Sequence, residues 1–213
     1  MNEHGSPGST DRPTAARRRA GRPARIDAAA VTAAAVALID AEGLEALTMR
    51  RLGTELGVTA MSLYRHLPNR DAVLASAVNL LIAEVRLDLP PGTDWPTALH
   101  AFATAYRRML LAHPRAVPLL ATHPVDEDHG RGLIAPLLTA FADAGVPDEE
   151  ALTAVQSVAV FVLGHALAQT GTPPGADPAP AAAATAYYDH WFAAGLDTFL
   201  LGLHHRLAAE QLG

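Results

Sequence analysis

Between Leu47 and Arg70 the chain reads LTMRRLGTELGVTAMSLYRHLPNR, and its polar groups are of the kinds that touch nucleic acid. Arg50, Arg65 and Arg70 carry fixed positive charge. Thr48, Thr59, Ser62 and Tyr64 carry hydroxyls, His66 an imidazole, and Ala60 and Met61 stand among them. Guanidinium groups grip phosphate or fork onto a base edge, hydroxyls bond either, and a small residue lets the backbone come close. No other chemistry competes. The chain has no cysteine, which excludes thiolate metal sites, disulfides and cysteine nucleophiles. Its ten histidines are not spaced as ligands. His204 and His205 point to different faces of a helix, and His100 and His113 lie thirteen residues apart. His113, His123 and His129 lack the i, i+3 or i, i+4 spacing of helical zinc sites. No glycine-rich phosphate loop, nucleophile elbow or carboxylate pair appears. Neither an enzyme, a metal site nor a cofactor is expected.

The elements that must position these groups are two short helices joined by a tight turn. Thr48 is placed to cap the first, with Leu47 and Leu52 as its hydrophobic staple and Leu56 on the same face. Gly57 stands where the chain turns, Val58 plugs the corner, and Thr59 caps the second helix. Leu63 and Leu67 face inward, leaving Ala60, Met61, Ser62, Tyr64 and Arg65 outward, until Pro68 ends the helix. Such a pair fits a major groove with its second helix. It also fits two packed helices of any helical protein, and spacing alone does not separate these.

Around this unit the pattern is helical throughout. Asp27 caps a first helix to Glu42, with Ile26 and Val31 as staple, Val31, Ala35, Leu38 and Ile39 inward, and Gly43 as stop. Asn69 caps a connector helix over 69–87. After the DLPPGTD break, helices are expected from Trp95 to His113, over 131–144, from 148 to 169 and from 185 to 209, with THPVDEDHGRG and GTPPGADPAP as loops. The fold class is all-α. No uninterrupted run of about 18 apolar residues and no signal-like start is seen, so a cytoplasmic protein with no membrane partner is expected. Net charge is −6, but residues 1–70 hold ten Arg against seven acids, whereas 71–213 hold six against fifteen. One module is built to meet phosphate and the other is not. Residues 1–25 have no apolar period and are expected to be a disordered basic arm. Through Arg17, Arg18, Arg19, Arg22 and Arg25 the arm either follows a minor groove or only solubilises the chain.

With AEGLEALTMRRLGTELGV followed by TAMSLYRHLPNRDAVL, residues 26–86 resemble the DNA-binding domain of the TetR family of bacterial regulators. The resemblance implies a helix-turn-helix domain over 26–87, connector included. It places Arg50, Ala60 and Ser62 toward the groove, with Thr48, Thr59, Tyr64, His66 and Arg70 as phosphate contacts or caps. Tyr64 and His66 could equally pack the recognition helix onto its neighbours.

Residues 88–213 are similar to the C-terminal ligand-binding and dimerisation domain of the tetracycline-repressor branch, through Trp95 and Leu99, LLAHPRAVPLLATHP and FAAGLDTFLLGL. The resemblance implies a homodimer in which helices 148–169 and 185–206 form a four-helix bundle with the partner's. Val155, Val158, Val162, His165, Phe192, Leu196, Phe199 and Leu200 are its candidate interface. It implies a small-molecule site among Arg86, His100, Phe102, Tyr106, Met109, Leu138, Phe141 and Phe161. The branch's magnesium-tetracycline pattern is largely missing: its metal histidine falls at Pro118 or Leu119, and its polar positions at Phe102 and Leu138. Glu149 matches its acid, although a helix start accounts for that residue as well. The expectation is a repressor released from a palindromic DNA operator by a mainly apolar effector. The alternative is a DNA-binding protein whose C-terminal domain only dimerises or binds a protein.

Overall fold

A computed structural model describes Met1, residues 26–171 and residues 181–210. The arginines of the basic arm and the loop after Gly171 lie outside the described residues. Every regular element among the described residues is helical.

The first helix, α1 (Ala28–Glu42), starts where Asp27 Oδ1 accepts the Ala30 N–H at 2.8 Å. It ends where the Gly43 N–H donates to the Ile39 carbonyl at 2.7 Å. Val31, Ala35, Leu38 and Ile39 are buried, the stripe expected from their spacing. A 3-10 turn at Leu44–Ala46 leads to α2 (Met49–Glu55), capped by Thr48 Oγ1 on the Arg51 N–H at 3.1 Å. Leu47 and Leu52 are both buried, as a staple requires.

The turn that follows depends on two glycines. Gly57 has φ +67°, a left-handed conformation that side chains resist. Gly53, within α2, is needed for space: a Cβ there would stand 2.8 Å from the Val58 carbonyl oxygen and 3.2 Å from the Ala60 nitrogen. Its carbonyl accepts the Val58 N–H at 2.8 Å. The next helix, α3 (Ala60–Leu63), is a single α-turn rather than the helix to Leu67 expected from sequence. The His66 and Leu67 N–H groups both return to the Leu63 carbonyl, so residues 64–67 close as turns that still bury Leu67. Thr59 holds the N-cap position, but its hydroxyl pairs with Ser62 Oγ at 3.1 Å instead of capping a backbone N–H.

Asn69 Oδ1 caps α4 (Arg70–Ile82) on the Ala72 N–H at 2.8 Å. The helix ends five residues short of Leu87, because the Glu84 and Val85 N–H groups bond three residues back and tighten the chain into a turn. Asp94 caps α5 (Trp95–Ala112), and a 3-10 turn at Pro114–Ala116 precedes α6 (Val117–Thr122). The expected loop at 122–132 is largely absent. Asp126 accepts from the Asp128 and His129 N–H groups and starts α7 (Glu127–Asp143) four residues early, with Glu127 and Asp128 favoured in its first turn. Two long helices follow, α8 (Asp148–Thr170) and α9 (Ala181–Glu210). α1 packs on α4, and α5 lies along α8 with α7 and α9 beside it. Trp95 stacks on Phe141 with centroids 5.0 Å apart, joining α5 to α7.

By length and mean hydropathy, 1.7 over its best window, α8 could cross a membrane. Its Ala151, Ala154, Val155, Val158, Val162 and Ala166 are instead buried against other helices, so this face of it is that of a core helix.

Replacing Gly53 tests the close approach. Gly53→Ala should destabilise the protein by about 1–3 kcal/mol, because overpacking must be relieved by backbone movement. Urea unfolding would check this, and a midpoint equal to the native one would contradict it.

Candidate nucleic-acid interface and ligand cavity

The outer surface of the α2–α3 unit is assembled from short-range geometry. Arg50 and Arg65 are exposed, as are Met61, Tyr64 and His66, while Ala60 and Ser62 are half-buried at the same surface. Arg51 is directed elsewhere: it pairs with Glu42 and, at 2.8 Å, with Glu55, which fastens α2 to α1. Arg50 and Arg65 are therefore the exposed cations of this unit, and the Thr59–Ser62 hydroxyl pair lies between them along the chain. Thr48 is exposed, but its hydroxyl accepts the cap bond.

Arg70 departs from expectation. Its Nε donates to the Leu47 carbonyl at 2.8 Å and Nη2 to the Leu44 carbonyl at 3.3 Å, both part-buried. The guanidinium satisfies carbonyls of the connector between α1 and α2, so the residue braces the first turn of α4.

Behind this head lies a cavity of about 550 Å³, within the range of small-molecule pockets. Ile82 from α4, Phe102 and Tyr106 from α5, Val125 and Asp126, the first turns of α7, and Leu152, Val155, Gln156 and Ala159 from α8 enclose it. The Phe102 and Tyr106 rings, one helical turn apart on α5, are stacked nearly parallel, 8° apart with centroids at 5.8 Å. Burial pushes the Tyr106 phenol up to about 12, so it stays a neutral hydrogen-bonding group at ordinary pH. The polar groups of the lining are Asp126, Gln156 and the Glu127–Arg131 pair at 3.3 Å.

Of the expected ligand residues, only Phe102 and Tyr106 reach this cavity. Arg86 lines a smaller recess of about 340 Å³ that shares Ile82 and Leu133 with it. His100 faces a groove between α5 and α9. Met109 and Phe141 are core, Leu138 packs against the core, and Phe161 is packed among Phe192, Phe199 and His165. The sequence did not mark Ile82, Leu152 and Ala159, apolar residues of long helices, as cavity residues, and Asp126 and Arg131 fell in an expected loop. The run Asp126, Glu127, Asp128 was the available signal, a cap followed by first-turn acids.

The expected dimer residues lie largely inside the single chain. Val155, Val158, Val162, His165, Phe192 and Leu196 are buried within the single chain, and Phe199 and Leu200 are half-buried. The exposed apolar groups of the two long helices are Val160 and Leu167 on α8, and Tyr187, Trp191 and Leu201 on α9. His165 sits among aromatic rings, 5.0 Å from Trp191 and 5.2 Å from Phe192. Its burial and the nearby Arg107 charge lower its proton affinity, so it is held neutral.

Two family models match the chain. The model described as bacterial regulatory proteins, tetR family, covers residues 31–77, and the tetracyclin repressor-like C-terminal domain covers residues 89–189. A transcriptional regulator of helix-turn-helix type from Saccharopolyspora erythraea is 34% identical over 66% of this chain, which spans only 59% of that relative's length. The class E tetracycline repressor of Escherichia coli is 31% identical, over 70% of this chain and 71% of its own. Among solved structures, a Q116A variant of TetR from Acinetobacter baumannii in complex with minocycline superposes with TM-score 0.74 at 25% identity, covering 86% of this chain and 99% of its own.

Removing the Arg70 brace separates its two readings. Arg70→Met should lower stability by about 1.5–3 kcal/mol, the range for hydrogen bonds made by a charged donor. The slope of log affinity for random duplex DNA against log salt should stay unchanged. A shallower slope at native stability would return Arg70 to the phosphate contacts.

Proposed function

The chain belongs to the TetR family of bacterial transcriptional regulators, and on that premise we propose that it is a repressor released from a palindromic operator by a small, mainly apolar ligand. Its relatives are regulators, not enzymes, and it works where the DNA is, in the cytoplasm. DNA is read by the surface around Arg50, Ala60, Met61, Ser62, Tyr64 and Arg65, with Thr48, Thr59 and His66 placed for phosphate. The homodimer forms through α8 and α9, using the exposed Val160, Leu167, Trp191 and Leu201 rather than the buried residues of the same helices. Two recognition units then enter successive major grooves with centres about 34–36 Å apart.

One observation carries the ligand reading: Ile82, in the last turn of α4, is part of the cavity wall. A ligand that enlarges the cavity pushes on the helix whose first turn is bonded to the DNA-binding head. A tilt of α4 changes the spacing of the two heads and lowers operator affinity by a coupling of about 1–3 kcal/mol or more. The A. baumannii relative is solved with minocycline. Here Pro118 and Leu119 cannot ligate magnesium, and Phe102 offers carbon where tetracycline recognition needs polar groups. The largely apolar lining, with the stacked Phe102 and Tyr106 rings, suits an apolar ring system, and Asp126 and Gln156 in the same lining offer it polar contacts.

Fluorescence anisotropy on a duplex selected from a random library, beside a scrambled duplex at two salt concentrations, tests the assignment. Arg50→Ala should cost about 1–3 kcal/mol on the selected duplex and much less on the scrambled one, because a base contact is lost. Equal losses on both would make Arg50 a phosphate contact. Equal, steeply salt-dependent binding of the native protein to both duplexes would contradict sequence-specific regulation.

A further inference from the structure

His113 follows α5 directly and stands between two carboxylates that belong to the other half of the chain. Its Nδ1 is 2.8 Å from Asp40 Oδ2, in the last turn of α1. Its Nε2 is 3.0 Å from Glu84 Oε2, two residues beyond α4. We propose that His113 is a positioning residue that latches the end of α4 to α1 across the boundary between the DNA-binding and ligand-binding regions, so that α4 can swing only when the His113–Glu84 contact opens. This rests on the ligand-released reading above.

The chemistry of the bridge makes it switchable. A carboxylate only accepts, so bonding both carboxylates at once requires both ring nitrogens to donate, which only the imidazolium does. A neutral ring can hold one carboxylate and must face the other with a lone pair. Asp40 depends strongly on the bridge, because its other oxygen, Oδ1, is buried with no partner among the described residues. Glu84 is more exposed, with 47% of its side chain open to solvent against 32% for Asp40, so water can replace its bond more cheaply. Arg115 then fixes which side lets go. It donates to the Asp40 backbone carbonyl at 3.2 Å and to that of Ala41, tying α1 to the ligand-binding region whatever the protonation of His113. Loss of the proton therefore frees the α4 end and leaves α1 held.

The latch and the cavity act on the same stretch of α4. Ile82, two residues before Glu84, lines the cavity. Asn79 Oδ1, one turn earlier, accepts the Asp126 N–H at 3.1 Å, at the start of the helix forming the opposite wall. A ligand that displaces Ile82 must draw Glu84 with it. Partial burial on its own would depress the proton affinity of His113, but the Asp40 and Glu84 carboxylates together outweigh it and raise the group above the ordinary histidine value. The two-bond latch is thus complete below about pH 6.5, the ordinary histidine value, and opens as pH rises through the raised value of His113.

Amide hydrogen exchange on the full chain, corrected for intrinsic rates, reads the latch without DNA or ligand. Between pH 6 and 8.5, protection at residues 81–86 should fall at least about fivefold in the native protein, while α8 stays protected. His113→Gln should show the low protection at both pH values. On a selected duplex the native protein should lose about three- to tenfold in affinity over that range beyond the loss of His113→Gln. Equal protection and equal pH dependence in the two proteins would overturn the latch. Failure to select any duplex would instead count against the regulator reading, and the exchange data would still decide the latch. Should His113→Gln not fold, Glu84→Gln serves: the His113 titration followed by NMR should move to lower pH, and an unmoved titration would overturn the proposal.

Discussion

The structure depends on the double attachment of one helix. α4 is thirteen residues long, a rod of roughly 20 Å. Its first turn is held by Arg70 to the carbonyls of Leu44 and Leu47, next to the DNA-facing unit. Its last turn carries Ile82 into the cavity wall. Val73, Leu74, Ala77, Val78 and Leu81 bury its middle against neighbouring helices, chiefly α1, so it cannot bend gradually and must move as a body. A rod held in this way carries a displacement from one end to the other, which is the physical requirement for a ligand-responsive regulator.

The DNA-facing unit shows the complementary economy. It is small, and its shape is fixed by a staple, a cap, a left-handed glycine and the absence of a side chain at position 53. Arg51 is held by Glu42 and Glu55, and the exposed pairs contribute orientation more than stability. Arg50 and Arg65 remain at the surface of an otherwise acidic protein. Exposed positive charge is concentrated on the α2–α3 surface, where geometry can aim it, while an acidic remainder discourages non-specific contact with phosphate.

Features that depend on near neighbours in the chain were legible from sequence. The caps at Asp27, Thr48 and Asn69, the staple of Leu47 and Leu52, and the turn at Gly57 each involve residues within a few positions of one another. The family resemblance, carried by LYRHL and its flanks, extended that reading to the whole fold. What the sequence left illegible was long-range. The partners of Arg70 lie more than twenty residues away, so nothing local marked it as a brace. The apolar breadth of α8 and α9 announced helices with several partners, but not which side meets the same chain. Val158 and Leu196 turned inward, and Val160 and Leu201 outward. Gly130 and Gly132 disguised the start of α7, and with it the part of the cavity wall from Val125 to Arg131.

Whether an occupant of the cavity moves the DNA-binding heads can be measured directly. The chain has no cysteine, so Glu45→Cys, exposed on the 3-10 turn after α1, gives one spin label per protomer and, in the proposed homodimer, one distance. Ala159→Trp places a side chain in the cavity in lieu of a ligand. Pulsed dipolar spectroscopy should find a single main distance in the labelled native protein. With the cavity filled, that distance should shift by more than about 2 Å. An unchanged distance distribution in a folded Ala159→Trp dimer would contradict the account, because the cavity would then be filled without the heads responding.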